Sequence, residues 1–343
     1  MSIVKWGIAG PGTIASKFAV ALDDVNHAEL TAIASLSVDR LNAFGDKHDI
    51  PPANRFTDYP SLMLSEDVDA VYIANLHPAH AETAQLAMKA GKHVLCEKPA
   101  GMSAAEVVSM VETAKANGVL FMEAFMYLCH PQMIRVVEII KSGELGQVEH
   151  IDASFGFNDE PDLNSRLFAL ELGGGGILDV GCYPVSFSRR VAGLALGEDF
   201  AEPTSIAGNG KLFSTGVDVF AQAELQFENG VTASCRCAIT EEMPNTAVVS
   251  LTEGRITIPA PWLPGAGNRP ADAVIHVQSK QSERTESIES PVHHYSYEIA
   301  HATATIQQNH IEAATPAMSH NASIGNAKVL DRWLELVGYK RMS

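Results

Sequence analysis

The spacing of hydrophobic positions changes character near residue 147 of the 343-residue chain. Before that point, short apolar runs alternate with stretches of helical period. Residues 3–9 read as a strand and a helix starts at about Thr13. Residues 30–34 form a second strand, Val38–Lys47 a second helix, and 69–74 a third strand, which together make a βαβαβ unit. An Ala-rich helical run over 79–90 is closed by Gly91, where a helix end takes a left-handed residue. Residues 93–96 then have the length of a buried parallel strand. Ser103-Ala104-Ala105-Glu106 is a capping box, and Val107, Met110, Val111 and Ala114 form the apolar stripe of the helix it opens. Asn117-Gly118 ends that helix, and 119–122 is the next strand, with Glu123 at its tip. The boundary is expected just beyond, dividing the chain into 1–124 and 125–343, with the C-terminal helix free to pack back on the first part.

From Gln147 the period is two. Ile151, Ala153, Phe155 and Phe157 fall on one face, and Asp152, Ser154 and Gly156 on the other. Val217, Val219, Ala221, Ala223, Leu225 and Phe227 repeat the pattern. Asn229-Gly230 predicts a hairpin turn into Val231, Ala233, Cys235, Cys237 and Ile239, and Glu253-Gly254 another tight turn. The predicted fold class is therefore an N-terminal α/β Rossmann domain followed by an α+β domain on an open, mainly antiparallel sheet. The opposite face at Phe220 and Ala238 is apolar enough to suggest a dimer surface.

Composition narrows the partners. With 46% hydrophobic and 19% charged residues the chain is globular, and its net charge of -17 argues against nucleic acid or an anionic membrane as the main partner. The five cysteines lack zinc-type spacing and read as buried thiols, so a reducing, cytoplasmic setting is expected. The first ten residues show no signal-peptide core, and no stretch is long enough to span a bilayer.

The first strand runs straight into Gly10-Pro11-Gly12-Thr13-Ile14-Ala15, a G-x-G-x-x-A dinucleotide fingerprint. Gly10 permits the tight turn, Gly12 lets the backbone approach a pyrophosphate, and Ala15 allows close helix–strand packing. The helix start at Thr13 and Ile14 offers N–H groups to the phosphates. The second strand ends in Ser35-Leu36-Ser37, where an NAD enzyme would hold the ribose with a carboxylate. The missing acid and nearby Arg40 lean towards NADP, with NAD possible; Arg40 reads equally well as a solvated helix residue. Asn75, His77 and His80 follow the third strand. The two histidines lack a third ligand candidate, so a loop wall beside the cofactor is expected rather than a metal.

Two further segments carry candidate chemistry. Glu97-Lys98-Pro99 follows the strand at 93–96, and in an open α/β sheet the strand ends face the cofactor, so Lys98 is either catalytic or a solvated loop lysine. Gly173-Gly174-Gly175-Gly176 suggests a backbone passing close to a ligand. If Asp179 opens a helix, Asp179 and Tyr183 are i, i+4 and share a face; the alternative is an N-cap carboxylate and a half-buried tyrosine. Glu123, Phe155 and Arg166 are placed with Asp179 and Tyr183 as substrate-binding residues.

On these segments, together with Leu120-Phe121-Met122-Glu123-Ala124 and Ser296-Tyr297-Glu298, the chain resembles the glucose–fructose oxidoreductase/inositol dehydrogenase family. It is most like the dimeric dihydrodiol-dehydrogenase-type branch, and the likeness spans nearly the full length. The resemblance implies NAD(P)-dependent hydride transfer on sugars, polyols or diols, with Lys98 in the catalytic site. It also implies a C-terminal sheet domain that joins subunits, so a homodimer or homotetramer is expected. Tyr183 stands where many relatives have His, as in the dihydrodiol and glucose–fructose branches. Phe125-Met126-Tyr127-Leu128 departs from the aromatic–Thr–Arg run of the dihydrodiol branch, and Leu36 replaces its second-strand Arg, while Arg40 matches another of its basic residues. A carbonyl reduced by hydride becomes an alkoxide, so the site needs an acid/base; a phenol with a pKa near 10 does this beside a cation. The expected roles are Tyr183 as acid/base, Lys98 as electrostatic partner and Asp179 as orienter, with proton transfer by Lys98 itself the variant. Two other functions remain: a cofactor-binding regulator without turnover, and a glycosidase that uses NAD transiently.

Overall fold

A computed structural model describes residues 2–228, 230–265 and 272–341. The chain forms two compact units: residues up to Cys129 together with Val292–Ser323, and His130–Pro291 together with residues from Ile324 onward.

The first unit alternates strands and helices: β1 (Val4–Ala9), α1 (Thr13–Leu22), β2 (Ala28–Ala34), α2 (Val38–Lys47), β3 (Arg55–Phe56), α3 (Tyr59–Met63), β4 (Ala70–Ile73), α4 (His80–Lys89), β5 (His93–Glu97), α5 (Ala104–Asn117), β6 (Phe121–Ala124) and α6 (Met126–Cys129). All six strands are parallel, in the order β3-β2-β1-β4-β5-β6, which is the doubly wound arrangement. Every residue of β4 is buried, and of β1 all but Lys5, as both faces of such a sheet require. The run at 69–74 is thus the fourth strand and not the third. The intervening β3 has two residues, too short for any periodicity to show. Glu123 lies inside β6, one residue from its end, because that strand starts later than expected.

In the second unit the elements are α7 (Pro131–Ser142), β7 (Val148–Gly156), α8 (Cys182–Leu196), β8 (Ser205–Leu212), β9 (Asp218–Gln226), β10 (Thr232–Ala238), β11 (Thr246–Leu251), β12 (Gly254–Pro259), β13 (Ala273–Ser279) and β14 (Glu283–Ile288). They build an eight-stranded sheet ordered β14-β13-β12-β11-β7-β10-β9-β8, antiparallel except for the β7–β10 pair. Ala221, Ala223 and Leu225 of β9 and Ala233, Cys235 and Cys237 of β10 are buried on one face, as alternation predicts. Cys235 shares a hydrogen bond with Ser188 of α8, and burial pushes its thiol up to about 12.

Other expectations change. Ser154 and Gly156 are buried, because the Trp262 indole N–H donates to the Ser154 carbonyl at 2.8 Å and Met243 lies over Gly156. Ala238 is fully buried and Phe220 half-buried under the Lys211 ammonium, so those two do not form an exposed apolar face. Of the predicted Asn229-Gly230 turn, Asn229 lies outside the described residues; Gly230 has a left-handed φ of 82°. Gly254 opens β12 instead of standing in the turn.

Helices α9 (His294–Gln307) and α10 (His320–Val337) end the chain. Helix α9 returns to the first unit, and so does the first turn of the last helix, whose His320 ring stacks on Phe121 at 6.1 Å. The Ser296 hydroxyl of α9 donates to the Ala21 carbonyl at 2.8 Å, and the Phe121 N–H donates to the Ile311 carbonyl. Trp333 of α10 instead donates to the Gln222 carbonyl of β9 at 3.1 Å. The units therefore differ from a single cut at 124/125. The returning segment has the helical period of any amphipathic helix, which does not say which core it covers.

Candidate active site

The nucleotide side is built where the strand order reverses, between β1 and β4, the place where open α/β sheets bind ligands. Gly10 follows β1 with φ 101°, and a Cβ there would lie 2.8 Å from the Asn75 Cα beyond β4. Only glycine lets these two strand ends pass so closely. Gly12 differs: a Cβ there would meet nothing within 4 Å. Gly12 is the N-cap of α1 and gives it no side-chain cap, so the first N–H groups of that helix, from Thr13 and Ile14, face an open cradle. Ala15 is buried against the sheet. These residues fit a dinucleotide pyrophosphate.

At the end of β2, Ser35 is buried and its hydroxyl accepts the Ser37 N–H at 3.1 Å. The Ser37 hydroxyl in turn caps α2 by accepting the Arg40 N–H. Leu36 is 73% exposed and Arg40 is exposed, so the strand end presents a serine pair and a guanidinium but no carboxylate within it.

Lys98 leaves β5 on a tightly held loop. The Ala100 N–H donates to Glu123 Oε1 at 2.9 Å, and His80 reaches the Pro99 carbonyl through Nδ1 at 2.9 Å and the Asn75 carbonyl through Nε2 at 3.1 Å. Asn75 also donates to Thr83 Oγ1. Glu123 and His80, expected against substrate and cofactor, are thus buried groups that hold the loops carrying Lys98 and Asn75. His77 is also buried, with its ring 5.5 Å from that of His80. Among the described residues no group of three His, Cys, Asp or Glu side chains is placed to hold a metal.

Glu97 accepts a hydrogen bond from the Tyr72 hydroxyl, whose ring stacks on Phe18. Nearby on α9, Glu298 is fully buried, and neither of its carboxyl oxygens has a hydrogen-bond partner among the described residues. Burial first, and Glu97 second, push its pKa well above the usual carboxylate range. The folded protein therefore retains a proton that the unfolded chain loses. Stability from this group is complete below the unfolded pKa and declines as pH rises towards the folded one. Glu298→Gln should flatten this decline, and denaturant midpoints from about pH 5 to about pH 9 will show it. Parallel profiles for variant and wild type would rule the account out.

In the second unit, Asp179 does not open a helix. It sits inside a π-helical turn, Ile177–Gly181, that runs directly into α8. Pro184 has no N–H for the carbonyl of Val180, so the ordinary ladder is interrupted there. The cap of the turn is remote in sequence: Asp218 Oδ2 accepts the Ile177 N–H at 2.7 Å. Gly174 and Gly175 make close contacts within the protein itself. A Cβ on Gly174 would lie 2.5 Å from the Leu167 carbonyl oxygen, and one on Gly175 would overlap Asp218.

Arg166, on the short turn Arg166–Phe168, pairs with Asp179 at 3.0 Å, so two of the expected substrate residues meet. The Tyr183 ring stands 5.3 Å from Phe155 edge to face, and 5.9 Å from Trp262. Phe187 completes this aromatic cluster through Trp262. Asp179 is 7% exposed and Tyr183 4%. Trp262 escaped the sequence reading because Pro261-Trp262-Leu263-Pro264 belongs to no periodic run.

The comparisons agree with this architecture. A model described as an oxidoreductase family with an NAD-binding Rossmann fold matches residues 4–125, and the GFO/IDH/MocA C-terminal domain matches residues 133–257. The trans-1,2-dihydrobenzene-1,2-diol dehydrogenase of Mus musculus is 36% identical over 265 residues, 76% of each chain. That of Homo sapiens is 35% identical over 266 residues, also 76% of each. A 3-ketoreductase from Actinomadura kijaniata, solved with NADP and TDP-benzene, is similar with a TM-score of 0.84 and 27% identity over 98% of both chains. An aldose-aldose oxidoreductase from Caulobacter crescentus, 22% identical over 97% of both chains, shares the fold with a TM-score of 0.85. With both halves matched and these relatives on either side, the chain is an NAD(P)-dependent oxidoreductase and belongs to the GFO/IDH/MocA family.

Proposed function

We propose that this oxidoreductase exchanges hydride between NADP and a CH–OH or carbonyl carbon of a sugar, polyol or trans-diol. The nicotinamide supplies or takes the hydride; the protein handles the proton and the orientation. Tyr183 acts as general acid/base, Lys98 as the cation that favours its phenolate and the substrate alkoxide, and Asp179 orients a substrate hydroxyl. Arg166 fixes the Asp179 carboxylate, and Phe155 packs against the acid/base ring. The observation that carries the reading is this pair of nearly buried polar groups, a carboxylate on a guanidinium and a phenol in an aromatic cluster, on one glycine-fixed helix start. A regulator that only senses nucleotide needs neither. The test is a panel of D-glucose, myo-inositol and trans-cyclohexanediol with both cofactors, read by nicotinamide absorbance. Turnover supports the proposal; cofactor binding without turnover across a broadened panel replaces it with the regulator.

NADP is favoured over NAD by the end of β2, where Ser35, Ser37 and Arg40 stand in place of a carboxylate, and by the NADP complex of the similar ketoreductase. A guanidinium pairs with a 2′-phosphate and has no such partner in NAD. Arg40→Ala is expected to raise the Kd for NADP about tenfold, equivalent to one charge-assisted contact, and to leave NAD binding nearly unchanged. Equal effects on both, or a wild-type preference for NAD, would reject the assignment.

The same proposal takes the protein to be cytoplasmic, a setting that its five buried cysteines suit. It also makes the protein a homodimer or homotetramer joined through the second sheet, which sedimentation in solution will decide.

A further inference from the structure

The buried carboxylate of Asp218 belongs to none of the roles above. It stands at the first position of β9, fully buried; its Oδ2 accepts the N–H of Ile177 at 2.7 Å, and Oδ1 has no hydrogen-bond partner among the described residues. Everything around it is shaped to admit it. Gly175 has φ 109°, and a Cβ there would overlap Asp218 Oδ1; a Cβ on Gly176 would stand 3.3 Å from Oδ2. The remaining amides of the glycine strap are held by carbonyls of a neighbouring turn, Gly174 by Ala169 at 3.0 Å and Gly175 by Leu167 at 2.9 Å. The Tyr339 hydroxyl donates to the Gly174 carbonyl at 3.2 Å. Asp179 then hangs on this strap, because its N–H donates to the Gly175 carbonyl at 3.3 Å.

We propose that Asp218 is a positioning residue for the reaction: by capping Ile177 it sets the π turn, and so the placement of Asp179 and Tyr183 further along the same helical run. The inference rests on the proposed roles of those two residues. It assigns to Asp218 no contact with substrate or cofactor. A carboxylate suits the task because its oxygen accepts a free N–H at a helix start, where the helix dipole also favours negative charge. Burial opposes that charge and the backbone N–H groups sustain it, leaving Asp218 with a pKa raised to about 7. The Cys237 thiol and the Tyr339 phenol, its titratable neighbours, are both pushed upward, so neither adds a competing charge at neutral pH.

The test compares Asp218→Asn, which keeps an acceptor for one N–H, with Asp218→Ala, which keeps none, and with Tyr183→Phe as reference. Each is measured with NADP and the panel compound turned over best. Amide exchange of the peptide covering 176–183 is followed by mass spectrometry. Asp218→Ala should lower kcat by about 10²-fold, the effect of an ångström-scale misplacement, with NADP affinity and KM little changed. Exchange over 176–183 should quicken at least about tenfold while β1, β4 and β5 stay protected. Asp218→Asn should lie between Ala and wild type in both readouts, and if the Ala variant does not fold, the Asn variant alone decides. Unchanged exchange over 176–183 overturns the proposal, as does wild-type kcat in both Asp218 variants while Tyr183→Phe is impaired. Wild-type kcat in Tyr183→Phe instead overturns the acid/base role proposed for that residue, and the exchange data then still decide the anchoring by Asp218.

Discussion

Tyr183→Phe is expected to lower kcat by roughly 10²–10⁴-fold, the range for a positioned acid/base, with NADP affinity unchanged. The variant deletes one oxygen and leaves the ring on Phe155 and Trp262, so the fold has little reason to respond. Lys98→Met is expected to cost a comparable factor. It removes the charge while keeping an unbranched chain of similar length on a loop that Glu123 and His80 hold from either side. With the ammonium acting through the phenolate and the substrate oxygen, as proposed, the double variant should fall well short of the product of the single losses. Steady-state kinetics on the four proteins checks this. Near-wild-type turnover in Tyr183→Phe would transfer the proton to Lys98, and near-wild-type turnover in both single variants would remove the mechanism.

Gly12→Val should abolish NADP binding, a loss of more than about 10²-fold, in a protein that melts close to wild type. Space decides this. The Cβ of residue 12 enters a region that no protein atom occupies within 4 Å, so folding loses little while the side chain fills the pyrophosphate cradle. Gly10→Ala should behave in the opposite manner. At φ 101°, with the Asn75 backbone 2.8 Å from the new Cβ, it strains the fold itself and lowers Tm. Calorimetric titration with NADP beside thermal melts separates the two. Unchanged affinity in Gly12→Val would mean that the fingerprint does not hold the nucleotide.

Local chemistry made the first unit legible in the sequence. The capping serine at 103, the glycine ends at 91 and 118, and the turn at Gly10 act within a few residues, and the helix Val38–Lys47 starts and stops where its pattern says. Long-range groups were invisible. The cap of the helical turn holding Asp179 lies 41 residues away in Asp218, and the indole beside Tyr183 comes from a proline-flanked loop. The glycine run stands out in the sequence, but the atoms that Gly174, Gly175 and Gly176 approach belong to residues such as Leu167 and Asp218, remote in the chain. Glu123 and Glu298 show the same limit. A carboxylate in an apolar run announces a buried polar site, but whether it meets a loop amide, as Glu123 does, or none among the described residues, as with Glu298, depends on tertiary packing.

The central claim is net hydride transfer to NADP, and isotopic labelling tests it most directly. A trans-diol or polyol carrying deuterium on the reacting carbon is incubated with NADP, and the reduced cofactor is weighed by mass spectrometry. Deuterium accumulating in NADPH, one atom per ketone or aldehyde formed, is the expected result. Deuterium that remains in or returns to the sugar-derived product, with no labelled NADPH at any enzyme concentration, would contradict it.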